Sequence, residues 1–389
     1  MRKVYLDYSA TTPVKEEVVN AMIPYFTEAY GNPSSLYTAG LTAKDGVDKA
    51  REQVAALINA KPSEIFFTSC GTEADNWVLE GVADKLKSKG NHIITSKIEH
   101  HAILHTCSYL EAHGFKVTYL DVDSEGFVNP ADLEAAITAD TVLVSIMMVN
   151  NEIGTVEPIR ELAQIAAKHG VLFHTDAVQG LGNVPIDVKE LGVDFLSMSA
   201  HKIYGPKGIG ALYTRKGVRI SNFIHGGAQE SKKRAGTENS AGIVGFGKAA
   251  ELAREGLENH IVHSSVLRDA LWQKIEANIP DVHLNGPRDR RHPGNLNVSF
   301  DYIEGEAILL MLDAYGISVS TGSACSSKSL APSHVLDAIG VPITRMNGTV
   351  RFTVGDFTTP EDIDYVVDAL TKVVTRLREL SPVTGQEGW

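Results

Sequence analysis

Two short segments of similar construction, Val171-Leu-Phe-His-Thr-Asp-Ala-Val-Gln179 and Phe195-Leu-Ser-Met-Ser-Ala-His-Lys202, decide the fold. Each begins with an apolar run of strand length and ends in polar side chains. Asp176 and Lys202 are 26 residues apart (202 − 176 = 26), a spacing that fits one strand and one crossover helix. The two segments therefore indicate neighbouring parallel strands that bring polar groups to one edge of a sheet.

The alternation of short apolar runs with helix-like stretches extends outward from about residue 65 to 215. It predicts an α/β fold whose mostly parallel seven-stranded sheet carries helices on both faces. The candidate strands are Ile65–Thr68, His92–Ser96, Lys116–Leu120, Thr141–Met148, Val171–Thr175, Phe195–Ser199 and Gly210–Thr214.

The pattern changes after residue 255, where a long helix leads into a mixture of strands and helices. We expect a smaller α+β domain here, so that residues 14–255 form a large domain, and residues 1–13 with 256–389 form a small one. The candidate elements are a helix over Ala253–Ala277, a strand over Asn295–Phe300, a helix over Glu306–Ala314, a strand over Val350–Val354 and a helix over Pro360–Leu380.

Composition excludes several classes of function. The chain has 389 residues, 43% of them hydrophobic, and a formal net charge of −12 without a basic block, which argues against direct nucleic-acid binding. No apolar run is long enough to span a membrane, and the N-terminus lacks a signal-like apolar core, so we expect a cytoplasmic protein. Three widely separated cysteines suggest neither a disulfide framework nor a zinc site.

The strand ends carry the side chains that pyridoxal phosphate requires. Lys202 could form a Schiff base, Asp176 could pair with the pyridinium nitrogen, and the Gly71-Thr72 turn could hold a phosphate at a helix start. Asn151 precedes Asp176 by 25 residues (176 − 151 = 25), which places it at the same edge. Taken singly, Lys202 could be a solvated surface lysine, Asp176 a helix cap, and the glycine turn an ordinary helix start.

The chain resembles the fold-type I pyridoxal-phosphate enzymes of the class V aminotransferase group, and among them the cysteine desulfurases of the NifS/IscS type. The resemblance extends over nearly the whole length. It is carried by Tyr5-Leu-Asp-Tyr-Ser-Ala-Thr-Thr-Pro13, Gly31-Asn-Pro-Ser-Ser35, Thr68-Ser-Cys-Gly-Thr-Glu73, Asn150-Asn-Glu-Ile-Gly-Thr155, His174-Thr-Asp-Ala-Val-Gln179, Ser199-Ala-His-Lys202, Arg234-Ala-Gly-Thr237 and Ser320-Thr-Gly-Ser-Ala-Cys-Ser-Ser327.

This resemblance implies roles for individual residues. Lys202 would bind the cofactor covalently, Asp176 would pair with its ring nitrogen, and His100 would stack on its ring. Gln179 and Asn151 would lie near the ring hydroxyl. The phosphate would be held by the Gly71 backbone, Thr72, Ser199, His201, and Thr237 of a second subunit, which makes the enzyme a homodimer. Arg351, with Asn32 alongside, would bind the substrate carboxylate.

Three positions depart from the family pattern. Cys70-Gly71 stands where Gly-Ala is frequent, Tyr37 replaces a usual histidine, and Asp356 stands where a basic or polar residue is common. None of these changes removes a catalytic group. Asp356 would affect carboxylate binding or a partner surface if it lay close to Arg351.

Cys325 differs from the other cysteines in its surroundings. Cys70 and Cys107 are expected to be small buried hydrophobes, whereas Cys325 lies in Thr321-Gly-Ser-Ala-Cys-Ser-Ser-Lys-Ser329, whose small and polar residues predict a mobile loop. Such a loop could carry sulfur from the cofactor site to an acceptor, with Lys328 or His100 favouring the thiolate. The alternative is a Ser/Gly linker with an incidental thiol.

The resemblance implies a cysteine desulfurase that converts L-cysteine to L-alanine and leaves a persulfide on Cys325. The sulfur would pass to an iron–sulfur scaffold protein, or to a sulfur-relay or tRNA-thiolation protein. We expect no resident metal, with Cys325 as the candidate for transient iron–sulfur ligation. The alternatives are a selenocysteine lyase or another class V enzyme, and, from a different class, a non-catalytic sulfur-relay protein.

Overall fold

The computed structural model describes residues 2–321 and 332–381. Short strands alternate with helices through the middle of the chain, as the spacing of the apolar runs predicts. The strands are β1 (Val4–Tyr5), β2 (Ile65–Thr68), β3 (His92–Ser96), β4 (Lys116–Leu120), β5 (Thr141–Ser145), β6 (Leu172–Asp176), β7 (Phe195–Ser199), β8 (Gly210–Thr214), β9 (Val282–Leu284), β10 (Asn295–Phe300), β11 (Ile317–Ser318) and β12 (Thr349–Thr353).

The helices cover both faces of the large sheet and most of the C-terminal part. They are α1 (Glu16–Met22), α2 (Pro24–Thr27), α3 (Thr38–Leu57), α4 (Gly71–Leu86), α5 (His101–Ala112), α6 (Pro130–Ala136), α7 (Ile159–Lys168), α8 (Val188–Leu191), α9 (Gln229–Lys232), α10 (Ser240–Asn278), α11 (Gly305–Ala314), α12 (His334–Ala338), α13 (Ile343–Met346) and α14 (Pro360–Leu380). Short 3₁₀ turns occupy Pro62–Glu64 and Ala200–Lys202.

The predicted seven-stranded sheet is confirmed. Its strand order is β2-β8-β7-β6-β5-β3-β4, and only β8 runs against its neighbours, pairing antiparallel with β2 and β7. Alternate residues of β2 enter different apolar clusters, with Ile65 and Phe67 on one face and Phe66 on the other. Both faces of the sheet are therefore buried, as expected for a parallel sheet covered by helices.

Two elements differ from their sequence-based predictions by more than one residue at an end. The strand predicted over Thr141–Met148 ends at Ser145, although the N–H groups of Ile146 and Met148 still donate to carbonyls of β6. The helix predicted over Ala253–Ala277 begins earlier, at Ser240, after the Asn239 side chain accepts a hydrogen bond from the Gly242 N–H. Glycines concealed this first part of the helix, because glycine is a poor helix former.

Close packing explains why those glycines are present in α10. A Cβ atom on Gly247 would come within 2.5 Å of the Ala50 Cα in α3, so only glycine allows the two helices to approach this closely. The pair α3 and α10 thus forms a tightly packed support beside the large sheet.

The C-terminal elements surround their own apolar cluster. It includes Leu296, Phe352 and Leu370, together with Val4 and Leu6 from the N-terminus, and β1 pairs in parallel with β11. This packing supports the two-domain division that we propose, although the boundary placed at residue 255 falls inside α10. Within residues 2–321 and 332–381, no helix is long and apolar enough to cross a membrane.

Candidate active site

A cavity of about 260 Å³ opens at the carboxyl ends of the sheet strands, where ligands bind in open α/β sheets. Polar side chains that follow separate strands converge on it because parallel neighbours place their carboxyl ends together. The predicted site residues that line it are Gly71, Thr72, His100, Asn151, Asp176, Gln179, Ser199, His201, Lys202 and Arg351.

The Lys202 amine is held by backbone carbonyls of the N-terminal segment. Lys202 ends the 3₁₀ turn that follows β7, and its Nζ donates to the carbonyl of Ala10 at 2.8 Å and to that of Ser9. The Gln179 amide also donates to the Ser9 carbonyl, at 2.9 Å. The segment before α1 therefore forms one wall of the cavity and fixes the lysine there.

Asp176 is the last residue of β6 and is only 5% exposed. Its carboxylate accepts a hydrogen bond from the Val178 N–H at 2.9 Å. Burial raises the pKa of Asp176, and the opposing effects of the Val178 N–H and the Lys202 charge are smaller. A cation placed against this carboxylate would relieve its desolvation and stabilise the ionised form.

His100 presents a neutral aromatic ring to the cavity. It precedes α5 as the N-cap, and its Nδ1 accepts a hydrogen bond from the Ala102 N–H at 3.1 Å, which leaves the ring proton on Nε2. Burial, together with the charge of Lys202, lowers the pKa of His100 to about 4. The ring is therefore uncharged at neutral pH and suited to stacking on a flat ligand.

An anion cradle lies between the start of α4 and the end of β7. The first N–H groups of α4 have no intrahelical acceptors, and Cys70 at the N-cap provides no side-chain cap. The Ser199 hydroxyl, in a residue 2% exposed, has no hydrogen-bond partner. These unsatisfied donors fit the oxygens of a phosphate group.

Gly71 lets the start of α4 lie close to the segment after β6. A Cβ atom at position 71 would lie 2.6 Å from the Val178 Cγ2, so the Val178 side chain or α4 would have to shift. His201 completes this side of the cavity, with its Nδ1 3.1 Å from the Thr11 hydroxyl. Burial lowers the pKa of His201 to about 4, so it can contribute an N–H but little positive charge.

Arg351 reaches the cavity from β12 and is 2% exposed. Its Nη1 donates to the Asn151 carbonyl at 2.8 Å, and its Nη2 donates to the Asp7 carboxylate at 2.8 Å. The buried Nε has no acceptor. This unsatisfied donor on a fixed guanidinium is suited to a carboxylate ligand.

Two predicted residues do not line the cavity of the single chain. Asn32 is exposed, and its side-chain oxygen accepts a hydrogen bond from the Ser34 N–H, so the expectation that it lies beside Arg351 is not met within one chain. Thr237 is also exposed, and its predicted role belongs to a second subunit. Cys325 lies outside the described residues.

The cavity also includes residues to which the sequence assigned no role. His101, His334 and Asp75 line it, as does Cys70, which is half-buried and not the buried hydrophobe that we expected. Cys107 is buried as predicted. Asp75 lies two residues after the quoted Thr68–Glu73 motif, and this position in the first turns of α4 was the sequence signal available for it. No cluster of three or more metal-ligating side chains occurs among residues 2–321 and 332–381.

Comparison with known proteins defines the class. Residues 4–366 match the class-V aminotransferase family model, and the chain belongs to that family. It is 56% identical over 381 residues to a protein named cysteine desulfurase IscS from Dictyoglomus turgidum, covering 98% of this chain and 97% of the relative. A protein of the same name from Methanosarcina thermophila is 54% identical over 386 residues, covering 99% and 95%.

Solved structures agree with this relationship. A structure titled NifS-like protein matches with a TM-score of 0.92 and 42% sequence identity, covering 97% of this chain and 100% of that chain. The structure of a cysteine desulfurase from Thermococcus onnurineus matches with a TM-score of 0.86 and 26% identity, covering 96% and 95%. The resemblance inferred from the sequence motifs is therefore confirmed.

Proposed function

We propose that this protein is a pyridoxal-phosphate-dependent cysteine desulfurase, which converts L-cysteine to L-alanine and transfers the sulfur to Cys325 as a persulfide. The observation that carries the proposal is the gathering of Lys202, Asp176 and Arg351 around one cavity. The names of relatives more than half identical to this chain point to the same reaction.

The residues of the cavity fit the cofactor. Lys202 would hold it covalently, Asp176 would face its ring nitrogen, and His100 would lie against its ring. The unpartnered Ser199 hydroxyl and the start of α4 would bind the phosphate. Pyridoxal phosphate, when bound, withdraws electrons from the substrate Cα.

The other side of the cavity is suited to an amino-acid carboxylate. The Nε of Arg351 has no acceptor in the structure, whereas both terminal nitrogens are engaged. The guanidinium is therefore oriented before substrate binds, which reduces the entropy lost on binding. Asn151 lies at this position too and would fix the substrate beside the cofactor ring.

The proposed chemistry divides between two side chains. After the substrate amine replaces the lysine on the cofactor, the freed Lys202 Nζ would accept the proton from the substrate Cα and later return a proton to the product. The Cys325 thiolate attacks the substrate Sγ, forming an S–S bond, while the electron pair of the broken Cβ–S bond remains with carbon. Protonation of that carbon completes alanine, and the protonated His100 Nε2 could donate to a group nearby.

We also propose a cytoplasmic homodimer. Thr237 is exposed and would complete the cofactor site of a partner subunit, as the family resemblance implies. Large apolar side chains are exposed near the N-terminus, where a second copy could cover them. They are Ile23, Phe26, Tyr30, Leu36 and Tyr37. The sulfur acceptor would be an iron–sulfur scaffold protein or another sulfur-accepting protein.

Experiments can distinguish two alternative functions from the proposed one. A selenocysteine lyase or another class V enzyme would not prefer L-cysteine as its substrate. Measuring alanine and sulfide formation from L-cysteine against keto-acid formation therefore separates these enzymes from a cysteine desulfurase. A non-catalytic sulfur-relay protein would lack the cofactor. The assembled Lys202, Asp176 and Arg351 favour an enzyme over a relay protein.

A Cys325→Ser variant tests the transfer step. We expect alanine formation from L-cysteine to fall at least about a hundredfold, because the nucleophile is lost. The visible absorbance of the bound cofactor should be unchanged. Mass spectrometry of the wild-type protein after a single turnover should find the additional sulfur on the Cys325 peptide.

Cys107→Ala is the matched control, since Cys107 is a buried thiol on α5 that packs into an apolar cluster, and its replacement should not affect the rate. Alanine formation by Cys325→Ser at the wild-type rate would refute the assignment of the acceptor.

A further inference from the structure

A second carboxyl group, Asp75, faces Asp176 from the wall of the cavity. It is 1% exposed, and its Oδ1 has no hydrogen-bond partner. The carboxyl group of Asp75 has a hydrogen bond with the Ser197 hydroxyl. Ser197 is also the register partner of Asp176 in the adjacent strand. An ionised carboxylate in this position would be costly, because a buried charge needs donors or a counter-charge.

The nearby imidazole does not provide that counter-charge. His174 Nε2 lies 3.6 Å from the Asp75 Oδ1, beyond good hydrogen-bond distance. Its two nitrogens are instead engaged by hydroxyls, Nδ1 with Ser145 Oγ at 2.8 Å and Nε2 with Ser197 Oγ at 3.0 Å. Burial lowers the pKa of His174 to about 3, so the ring is neutral.

The other titratable groups that face Asp75 are all acids, so none of them supplies a positive counter-charge. They are Asp176 on β6, Glu99 after β3, and Cys70 before α4. Burial and then the charge of Asp176 raise the pKa of Asp75. The Lys202 charge acts on Asp176 and lowers its pKa. Of the two carboxyls, Asp176 is thus the better stabilised as an anion.

We propose that Asp75 carries a proton at neutral pH and is a positioning residue, which leaves Asp176 as the single ionised carboxyl facing the cofactor ring. This inference deepens the proposed function, because it rests on the pairing of Asp176 with the ring nitrogen. The two carboxyls together then offer one negative charge to one cationic nitrogen. An ionised Asp75 would instead repel the charge on Asp176 and pull a proton toward the pair.

Infrared spectroscopy of the full-length protein tests the proton directly. A protonated carboxyl gives a C=O stretching band that a carboxylate lacks, and carbon-13 labelling of aspartate distinguishes Asp from Glu bands. At pH 7 we expect the wild-type spectrum to contain a protonated-Asp band that is lost in Asp75→Asn. Persistence of every protonated-Asp band in Asp75→Asn would overturn the proposal.

Glu99→Gln is the matched control. Burial raises the pKa of Glu99 to about 8, so this variant should remove a Glu band and leave the Asp band in place. The spectra can be recorded with and without cofactor. A missing cofactor would therefore contradict the proposed function without affecting the assignment of the Asp75 proton.

Two further measurements test the coupling and the role. In Asp176→Asn, the protonated-Asp band should disappear at a lower pH than in the wild type, because the neighbouring charge is gone. An unchanged titration of this band would refute the coupling between Asp75 and Asp176. This measurement does not require that Asp75→Asn folds. Asp75→Asn, which imitates the neutral acid, should bind pyridoxal phosphate within about threefold of the wild type. A loss greater than about tenfold would overturn the positioning role.

Discussion

Arg351 enters the cavity with its terminal nitrogens already engaged. The ion pair with Asp7 and the hydrogen bond to the Asn151 carbonyl, both at 2.8 Å, fix the plane of the guanidinium. A substrate carboxylate would meet a group that needs no reorientation, but it would have to share that group with Asp7. The substrate affinity should therefore depend on the planar geometry of arginine and not only on its charge.

Replacement by lysine tests this geometry. In Arg351→Lys we expect kcat/KM for L-cysteine to fall about tenfold to a hundredfold, mainly through a higher KM, because the planar donors are lost while the charge stays. Steady-state kinetics with L-cysteine measures both constants. Arg345→Lys is the control, since Arg345 pairs with Asp301 and does not line the cavity. Equal KM values for Arg351→Lys and the wild type would rule out the carboxylate role.

Among the elements, the segment before α1, the helix α10 and the end of β12 meet at Asp356. Its carboxylate lies 2.6 Å from Lys15 Nζ and 2.5 Å from His260 Nδ1, and its N–H donates to the Tyr204 hydroxyl at 2.8 Å. This departure from the family pattern thus links three parts of the chain. The sequence could not reveal this role, because the partners are distant in the chain.

The link should make stability depend on pH. Burial raises the pKa of Asp356, but the hydrogen bonds and charges of His260 and Lys15 together outweigh this effect and lower the pKa to about 2. A carboxyl group whose pKa is lowered by folding stabilises the folded protein at pH values above the ordinary pKa of that group. This stabilisation is lost as the pH falls through the pKa of the group in the folded state. In Asp356→Asn we expect the free energy of unfolding at pH 7 to fall by about 2 kcal/mol.

Urea unfolding at fixed protein concentration measures this difference, which should shrink between about pH 4 and pH 2. Asp368→Asn removes only the exposed pair with Lys372 and should have almost no effect. A difference that stays constant down to pH 2 would show that the charge of Asp356 is not responsible.

Element boundaries were predictable where burial and local chemistry agree. The strands Ile65–Thr68, Phe195–Ser199 and Asn295–Phe300 lie where their apolar runs predict. The short strands β1, β9 and β11 were not predicted, because two or three residues carry no readable periodicity. The early start of α10 was missed because its glycines serve helix packing and reduce the helical signal.

For the whole molecule, the sheet topology explains why a sequence could predict most of the cavity. Residues far apart in the chain follow parallel strands, so their convergence needs only the strand order. Asp75 was missed as a cavity residue, and Asp7 as the ion-pair partner of Arg351, because burial and ion pairing across the fold do not appear in local sequence. Asn32 and Thr237 lie outside the cavity of one chain, and the site is proposed to need a second subunit because of Thr237.

The central claim is that Lys202 holds pyridoxal phosphate in this cavity. Borohydride reduction of the purified protein makes the bond between cofactor and lysine permanent, and peptide mapping by mass spectrometry then locates the label. We predict one pyridoxyl group on the peptide that contains Lys202, and a matching loss of the label in Lys202→Ala. A label on a different lysine, or a protein that takes up no label after incubation with the cofactor, would contradict this account.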